Sequence, residues 1–392
     1  MTVTKLRIAF ILDRYNPQGR GEGYFSWLTR ELVRLGHEVH VFAGLIEDET
    51  EGPFHIHRIP VVKHPKSMMI TSFLIGSDLA LRRERFDVIH GVGRCVNINV
   101  FNPHGGVEKA YLKQEFRSID KASYRTYKKL RRYLSLHHYL KLWIQKKQCL
   151  GRGVRRIIAI SNMVKKDVMD HYRVPEAKIA VVPNCVDLER FHPKNRAVYR
   201  ARKRRELGID EHTITLLFAG NNYRLKGLEP LLRAMALLQK RPLQRKFRLL
   251  VVGRGRIGRF ARIARRLGIS DCTFFLGPVE GMEEFYAASD IYVQPTFYDP
   301  CSLTVLEALA SGLPTVTTRF NGAADVMTSD RGGRVIDDPT NTEELAESIA
   351  PFFDEDRRKE AGVAARAWME NYPPARHIEE VLRIYHDVAK EA

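Results

Sequence analysis

The sequence predicts an α/β protein built from two doubly wound parallel sheets, one in each half of the chain. Three observations carry this. Its 392 residues exceed what one hydrophobic core organises. Short apolar runs of strand length alternate with helical stretches, the pattern of parallel sheets with helices on their faces. The alternation stops in a basic, poorly strand-forming segment, 193–207, and then starts again.

In the first half the apolar strand 8–12 is followed by a loop, 13–23, that is rich in glycine. A helix at 24–35 and a strand at 39–43 come next. Further strands are expected at 55–59, 88–90, 157–160 and 179–182, with helices between them and a candidate strand at 96–101. The second half reads strand 214–219, helix 228–238, strand 247–252, helix 258–267, strand 272–276, helix 282–288 and strand 291–294. A short helix from Ser302 and a strand at 315–318 follow. The last helices lie in 356–371 and 375–392, separated by the break at Pro373-Pro374. The expected organisation is a first domain 1–195 with a basic helical insertion at about 109–156, and a second domain 196–372. A final helix, 373–392, is expected to return to the first domain. Ligands of such sheets bind beyond the carboxyl ends of the strands, which with two domains points to the cleft between them.

Composition narrows the classes. No apolar run is long enough to span a bilayer, and the start of the chain runs into its first strand without the apolar segment of a signal peptide. Five scattered cysteines show no metal-type spacing and suit free thiols in a reduced cytoplasm. The net charge of +18 is uneven: between Lys109 and Arg156 stand 15 Lys and Arg against 2 acids. Such a block implies contact with polyanions. A nucleic-acid binder would spread this charge along a reading surface, and no known nucleic-acid motif appears. Residues 121–150 are helical but change phase near Ser135: Tyr127, Leu130 and Leu134 share one face, whereas Leu136, Leu140, Trp143 and Leu150 share another. Basic residues interleaved with aromatics suit a helix on an anionic bilayer. The alternative is a lid helix whose aromatics pack on the domain, with a solvated basic face.

The densest signal is in 300–318, where Glu307 is the single charge in a helix apolar on every side. A buried carboxylate needs a partner. One reading is a helix acid capping nearby backbone. The other is a ligand site in which the N–H groups of Ser302 and Leu303 take an anion and Glu307 accepts hydroxyls of the molecule carrying it. Asp299 lies eight residues upstream. The loop 221–227 places Arg224 and Lys226 at the same end of the sheet: a solvated turn, or two cations for a diphosphate. Gly253-Arg-Gly255-Arg-Ile-Gly258 has dinucleotide spacing, but it follows the second strand of its domain and no acid ends the next one. It reads as a tight turn with a base contact. His104, before Gly105-Gly106, faces a site or sits in a turn. The D-x-D at Asp354-Glu-Asp356 reads as a helix start, and no metal site is visible.

The segment from Asp299 to Glu307-Ala resembles the E-x7-E segment of the retaining glycosyltransferases of family 4, which have the GT-B fold. The likeness also takes in the glycine loop, Ile160-Ser161, Val182-Pro-Asn-Cys-Val-Asp187, the Arg224/Lys226 loop and 277–295. Within the family the chain is similar to the lipopolysaccharide core glucosyltransferases that glucosylate an inner-core heptose and carry a basic insertion thought to meet the inner membrane. The resemblance implies that Glu307 binds the ribose of a sugar nucleotide and that Cys301, Ser302 and Leu303 lie at its distal phosphate. It gives Arg224 and Lys226 the diphosphate, and Asp299 the transferred sugar, with Gly19, Gly21 and His104 covering that sugar. It further implies a UDP-hexose donor, a lipid-linked saccharide acceptor, no metal or other cofactor, and a cytoplasmic protein peripheral to the inner membrane. The chain departs from the family pattern in Asp299 for Glu, in Cys301-Ser302 for Phe-Gly, and in Arg20 between the two glycines. An epimerase or hydrolase acting on the same donor is the competing enzyme class, but it leaves the basic insertion without a task.

Overall fold

The structure, a computed structural model, describes residues 5–16, 20–46, 52–242, 245–329 and 331–391. It divides into two units: Met1–Leu112 with Lys121–Val182 and Ala375–Ala392, and Lys113–Asp120 with Pro183–Pro374.

The first unit runs β1 (Arg7–Tyr15), α1 (Arg20–Arg34), β2 (Glu38–Ile46), β3 (His55–Arg58), α2 (Lys66–Leu81), β4 (Val88–Gly91), β5 (Val100–Phe101) and α3 (Glu108–Arg117), whose last turns belong to the second unit. It continues with α4 (Ala122–Tyr133), α5 (Leu136–Leu150), β6 (Arg156–Ala159), α6 (Asn162–Tyr172) and β7 (Ile179–Val181). Its seven strands lie in the order β3-β2-β1-β4-β5-β6-β7 with parallel pairing throughout. The break at Ser135 separates α4 from α5. Ser161 starts α6 by accepting the Val164 N–H at 3.1 Å, a side-chain cap.

The second unit runs α7 (Asn195–Glu206), β8 (Ile214–Ala219), α8 (Leu228–Gln239), β9 (Phe247–Val252), α9 (Ile257–Arg266), β10 (Thr273–Gly277), α10 (Met282–Ala288), β11 (Ile291–Gln294) and α11 (Leu303–Ala310). After these come β12 (Thr315–Thr318), β13 (Gly333–Ile336), α12 (Thr342–Ile349) and α13 (Glu355–Glu370). Its sheet order is β10-β9-β8-β11-β12-β13, all parallel. Counted within the unit this is 3-2-1-4-5-6, the order of dinucleotide-binding sheets. Its central strands are buried along their whole length, as parallel strands covered on both faces must be. Asp354 caps α13 through the Arg357 N–H at 2.9 Å, so the D-x-D is a helix start.

The closing helix, α14 (Pro374–Lys390), packs Ile378, Val381, Ile384, Tyr385 and Val388 into the core of the first unit. Each fully buried aliphatic there contributes about 1.5–3 kcal/mol.

Several expectations change. The segment 193–207 is helical rather than a linker. Its Arg196 and Arg200 reach Asp290 Oδ1 at 3.2 and 2.9 Å, and Arg204 reaches Oδ2 at 3.2 Å. Burial opposes ionisation of Asp290, but Arg200, Arg196, the Thr215 N–H and Arg204 together hold its carboxyl below the usual range. Such a helix is tied to the second unit, and the boundary placed at 195/196 moves to Val182/Pro183. The strand 96–101 contracts to two residues. The loop 13–23 gives way to helix at Arg20, because β1 extends to Tyr15 and α1 begins before the apolar run. β13 and α12 have no counterpart in the sequence reading.

Candidate functional site

The order of the second sheet reverses between β8 and β11, and that switch point is where open α/β sheets hold ligands. The loops leaving these two strands carry the charged residues singled out from sequence. Arg224 and Lys226 lie in the β8–α8 loop, and Asp299 in the β11–α11 loop. Lys226 Nζ donates to Asp299 Oδ2, with both side chains mostly shielded from water. Arg224 Nη2 stands 3.5 Å from Glu115 Oε1, an acid from the Lys113–Asp120 piece of this unit. Two glycines set the approach of these loops. Gly227 has φ +80°, and a Cβ there would sit 1.8 Å from the Pro295 carbonyl oxygen. Gly253 has φ +115°, and a Cβ would sit 2.2 Å from the Gly220 carbonyl oxygen. Only glycine fits either position. Gly253 therefore holds the β9 loop against the β8 loop through backbone.

The amino terminus of α11 is fixed by a buried polar network. Asn321 accepts the N–H groups of Ser302 at 3.2 Å and Ala323 at 3.1 Å, and donates to Thr317 Oγ1 at 3.0 Å and Gln294 Oε1 at 3.3 Å. Gln294 donates to the Ala219 carbonyl at 2.8 Å, and Tyr292 donates to Thr304 Oγ1 at 2.7 Å. The Asp299 N–H donates to the Phe320 carbonyl at 2.9 Å, and Gly322 N–H to the Asp299 carbonyl at 2.8 Å. Here the structure corrects the sequence reading. The Ser302 N–H is not open to an anion, because Asn321 occupies it. The helix terminus presents Leu303, whose residue is half-buried, in its place. Cys301 is buried, its carbonyl accepts from Asn184 Nδ2 at 3.3 Å, and burial pushes its thiol well above the usual range.

Glu307 is half-buried rather than buried. It shares the less covered stripe of α11 with Leu303, four residues earlier, while Thr304, Val305, Leu306 and Ala308 face inward. Its Oε2 accepts the hydroxyl of Tyr286, a fully buried side chain on α10, at 2.7 Å. The same hydroxyl lies 3.1 Å from the Thr304 carbonyl. The loops and the helix at this switch point thus carry two cations, each beside a carboxylate, a helix amino terminus and an acceptor carboxylate oriented by Tyr286. That set matches an anion carrying hydroxyl groups.

The remaining residues belong to the first unit. His104 stacks on Tyr24, with ring centroids 5.1 Å apart and an 18° interplanar angle, and meets Phe25 edge-on at 5.0 Å. Gly21 lies in the first turn of α1, and Gly19 lies outside the described residues. At this sheet's own switch point, between β1 and β4, is a cavity of about 390 Å³ lined by Asp13, Arg94, Gly106, Glu108, Arg132 and Lys141 among others. Arg94 pairs with Asp13 at 3.1 Å, and Gln145 anchors the wall by donating to the Gly106 carbonyl at 3.0 Å. Beside it, α4 has no buried residue, and Tyr124, Tyr127, Leu130, Tyr133, Leu134 and Leu136 are exposed. A lid packed through those aromatics is therefore not what α4 forms within its unit. Among the described residues no helix is long and apolar enough to cross a membrane. A larger cavity, about 910 Å³, opens at the amino ends of the second sheet around Arg196, Arg200 and Asp290, the end opposite the switch-point crevice.

Two family models match the chain, the one described as Glycosyltransferase Family 4 over residues 23–190 and the one described as Glycosyl transferases group 1 over residues 200–368. The lipopolysaccharide glucosyltransferase WaaG of Escherichia coli (strain K12) is 23% identical over 383 residues, covering 96% of this chain and 95% of that one. The D-inositol 3-phosphate glycosyltransferase of Pseudarthrobacter chlorophenolicus is 30% identical over 240 residues, 60% of this chain and 56% of that protein. Among solved structures, WaaG superposes with a TM-score of 0.79 at 21% identity, covering 96% of this chain and 99% of that one. Anabaena Alr3699/HepE, solved in complex with UDP, gives 0.68 at 13% identity over 97% of this chain and all of that one.

Proposed function

We propose, from the premise that this chain is a glycosyltransferase of the GT-B architecture, that it moves glucose from UDP-glucose to a lipid-linked saccharide such as a lipopolysaccharide core heptose, with retention at the anomeric carbon. The observation that carries the proposal is the convergence of Arg224, Lys226, Asp299, the α11 terminus and Glu307 at one switch point. In this reading Glu307, aimed by Tyr286, accepts the ribose hydroxyls. The Leu303 N–H and the positive end of α11 meet the distal phosphate. Arg224 and Lys226 neutralise the departing diphosphate, the charge-stabilising role that a metal ion has elsewhere, so the donor site is proposed to work without one. Asp299 loses Lys226 to the phosphate and turns to the hydroxyls of the sugar. His104 and the cavity of the first unit are proposed for the sugar and the acceptor. The names of relatives support the choice of substrates: one is called a lipopolysaccharide glucosyltransferase, and another was solved with UDP and glucose.

The unburied α4 is proposed to dock on an anionic bilayer at the cytoplasmic face of the inner membrane, bringing the enzyme to its acceptor. Its Lys128, Lys129, Arg131 and Arg132 accompany the exposed aromatics, and Met68, Ile75 and Leu79 of α2 add exposed apolar surface in the same unit. The functional test is proton NMR of the product made from UDP-glucose and a core-oligosaccharide acceptor. An α-anomeric product supports retention; a β-anomer overturns it, and free glucose alone indicates hydrolysis.

A further inference from the structure

The geometry points to a transition-metal site of the zinc type at the outer edge of the first unit's sheet, formed by His40 on β2, His57 on β3 and Glu84 ahead of β4. One ligand atom of each residue lies within 4.8 Å of the others. The strand register produces the cluster. His40 pairs with His55 across β2 and β3, and residues two apart share a face, so His57 is brought over the same side. The rings of His40 and His57 stack at 5.1 Å, and His40 Nδ1 lies 2.8 Å from His57 Nε2.

The surroundings prepare these atoms as ligands. Glu38 Oε1 is 3.0 Å from His40 Nε2, which puts the His40 proton on Nε2 and leaves the Nδ1 lone pair directed at His57. A carboxylate behind a histidine is the usual way a metal ligand is oriented. Without metal, His57 fills that gap with its own Nε2–H. On metal binding that proton moves to His57 Nδ1, and rotation of the rings turns the two opposed lone pairs toward an ion beside them. A tetrahedral zinc ion with Zn–N bonds of about 2.0–2.1 Å needs its nitrogens about 3.3 Å apart, so the rings separate by about half an ångström. Glu84 holds Arg7 through Oε2 at 2.8 Å, and coordination through Oε1 leaves that contact in place. Arg7 also pairs with Glu38 at 2.7 Å, and Lys5 reaches the other Glu38 oxygen at 3.9 Å, so the two carboxylates are balanced by two cations before any ion binds. His40 is buried while Glu84 reaches the surface, so the site has an entrance. Two imidazoles and a carboxylate suit zinc, cobalt or nickel and disfavour magnesium or calcium. The ion would tie β2, β3 and the turn before β4 together, and it shares no residue with the sugar-nucleotide crevice.

The test uses the untagged, chelator-treated full chain titrated with Zn²⁺ by calorimetry and with Co²⁺ by visible absorption. Wild type should take up one equivalent with ligand-field bands and a raised melting temperature. His57→Gln and Glu84→Gln should each lose the uptake, and Glu38→Gln should weaken it about 10–100-fold. UDP binding should be unchanged in all three. Because Glu84 is at the surface, its variant decides the matter if His57→Gln melts early. No uptake by wild type, or uptake undiminished in Glu84→Gln, overturns the site and leaves a hydrogen-bonded network that pins β3 to β2.

Discussion

Replacing Tyr286 by Phe tests how the site orients its acceptor carboxylate. The change keeps the ring, with its edge contact to Phe191 at 5.8 Å and its packing on Tyr292 at 6.1 Å, and deletes only the hydroxyl that reaches Glu307 Oε2 at 2.7 Å. A hydrogen bond to a charged group contributes about 1.5–3 kcal/mol. Because Glu307 is half-buried, water replaces part of this, and the stability loss should fall at or below the lower figure. For a domain of this size that is a drop of about 2–5 °C in melting temperature. The second consequence concerns binding. A Glu307 that lacks this hydroxyl is less restrained, and fixing it in the complex costs up to about 0.5–1.5 kcal/mol, so UDP affinity should fall by up to about 2–10-fold. Calorimetry with UDP and a thermal melt without ligand read the two effects separately. A lowered melting temperature with unchanged UDP affinity would show that Tyr286 only packs, and the positioning argument fails.

Other perturbations separate the remaining parts of the account. Lys226→Ala should lower turnover at least ~100-fold, the scale of one preorganised charge contact, with the circular dichroism spectrum intact; near-normal turnover removes Lys226 from the chemistry. The wild type should sediment with vesicles rich in anionic lipid, less with neutral ones, and come off as salt rises, since each cation near such a surface contributes about 1 kcal/mol. Reversing Lys128, Lys129, Arg131 and Arg132 to Glu should abolish this and leave UDP binding intact, and a wild type indifferent to anionic vesicles ends the membrane proposal. His90, fully buried against Tyr385, has its pKa lowered to about 3, first by burial and then by His104. A folded-state value below the unfolded one means stability is complete above about pH 6.5 and is lost as pH falls toward 3, by up to about 1.4 kcal/mol per pH unit. The melting temperature of His90→Gln should therefore fall less than that of wild type between pH 6.5 and 4.5; equal slopes refute the assignment.

Much of the architecture was legible because parallel strands announce themselves as short apolar runs, and β8, β9, β11 and β12 fall where those runs lie. The loop cations and the apolar helix around Glu307 were legible for a related reason: charge is rare there and stands out. What the sequence hid were partners. Tyr286 lies 21 residues before Glu307, and Asn321 lies 19 residues after Ser302. Each pair meets only because parallel crossovers return the chain to one end of the sheet, a distance no local periodicity encodes. Asn321 drew no notice in the sequence, yet it takes the N–H that the sequence assigned to an anion. The helix α7 was hidden by its composition, since a run of arginines suggests solvent. Three of those arginines instead converge on the buried Asp290, a contact set by a residue some 90 positions away. The His40–His57–Glu84 cluster has the same origin, three short segments joined by strand register.

The most direct test of the donor site is calorimetry of UDP, UDP-glucose, GDP and ADP against wild type and Glu307→Gln. The account predicts that UDP and UDP-glucose bind the wild type with one site per chain. It predicts that Glu307→Gln weakens both by about 1.5–3 kcal/mol, roughly 10- to 150-fold, with the ligand-free melting temperature little changed. Failure of every nucleotide to bind, or UDP binding as tight to Glu307→Gln as to wild type, would contradict the assignment of this crevice.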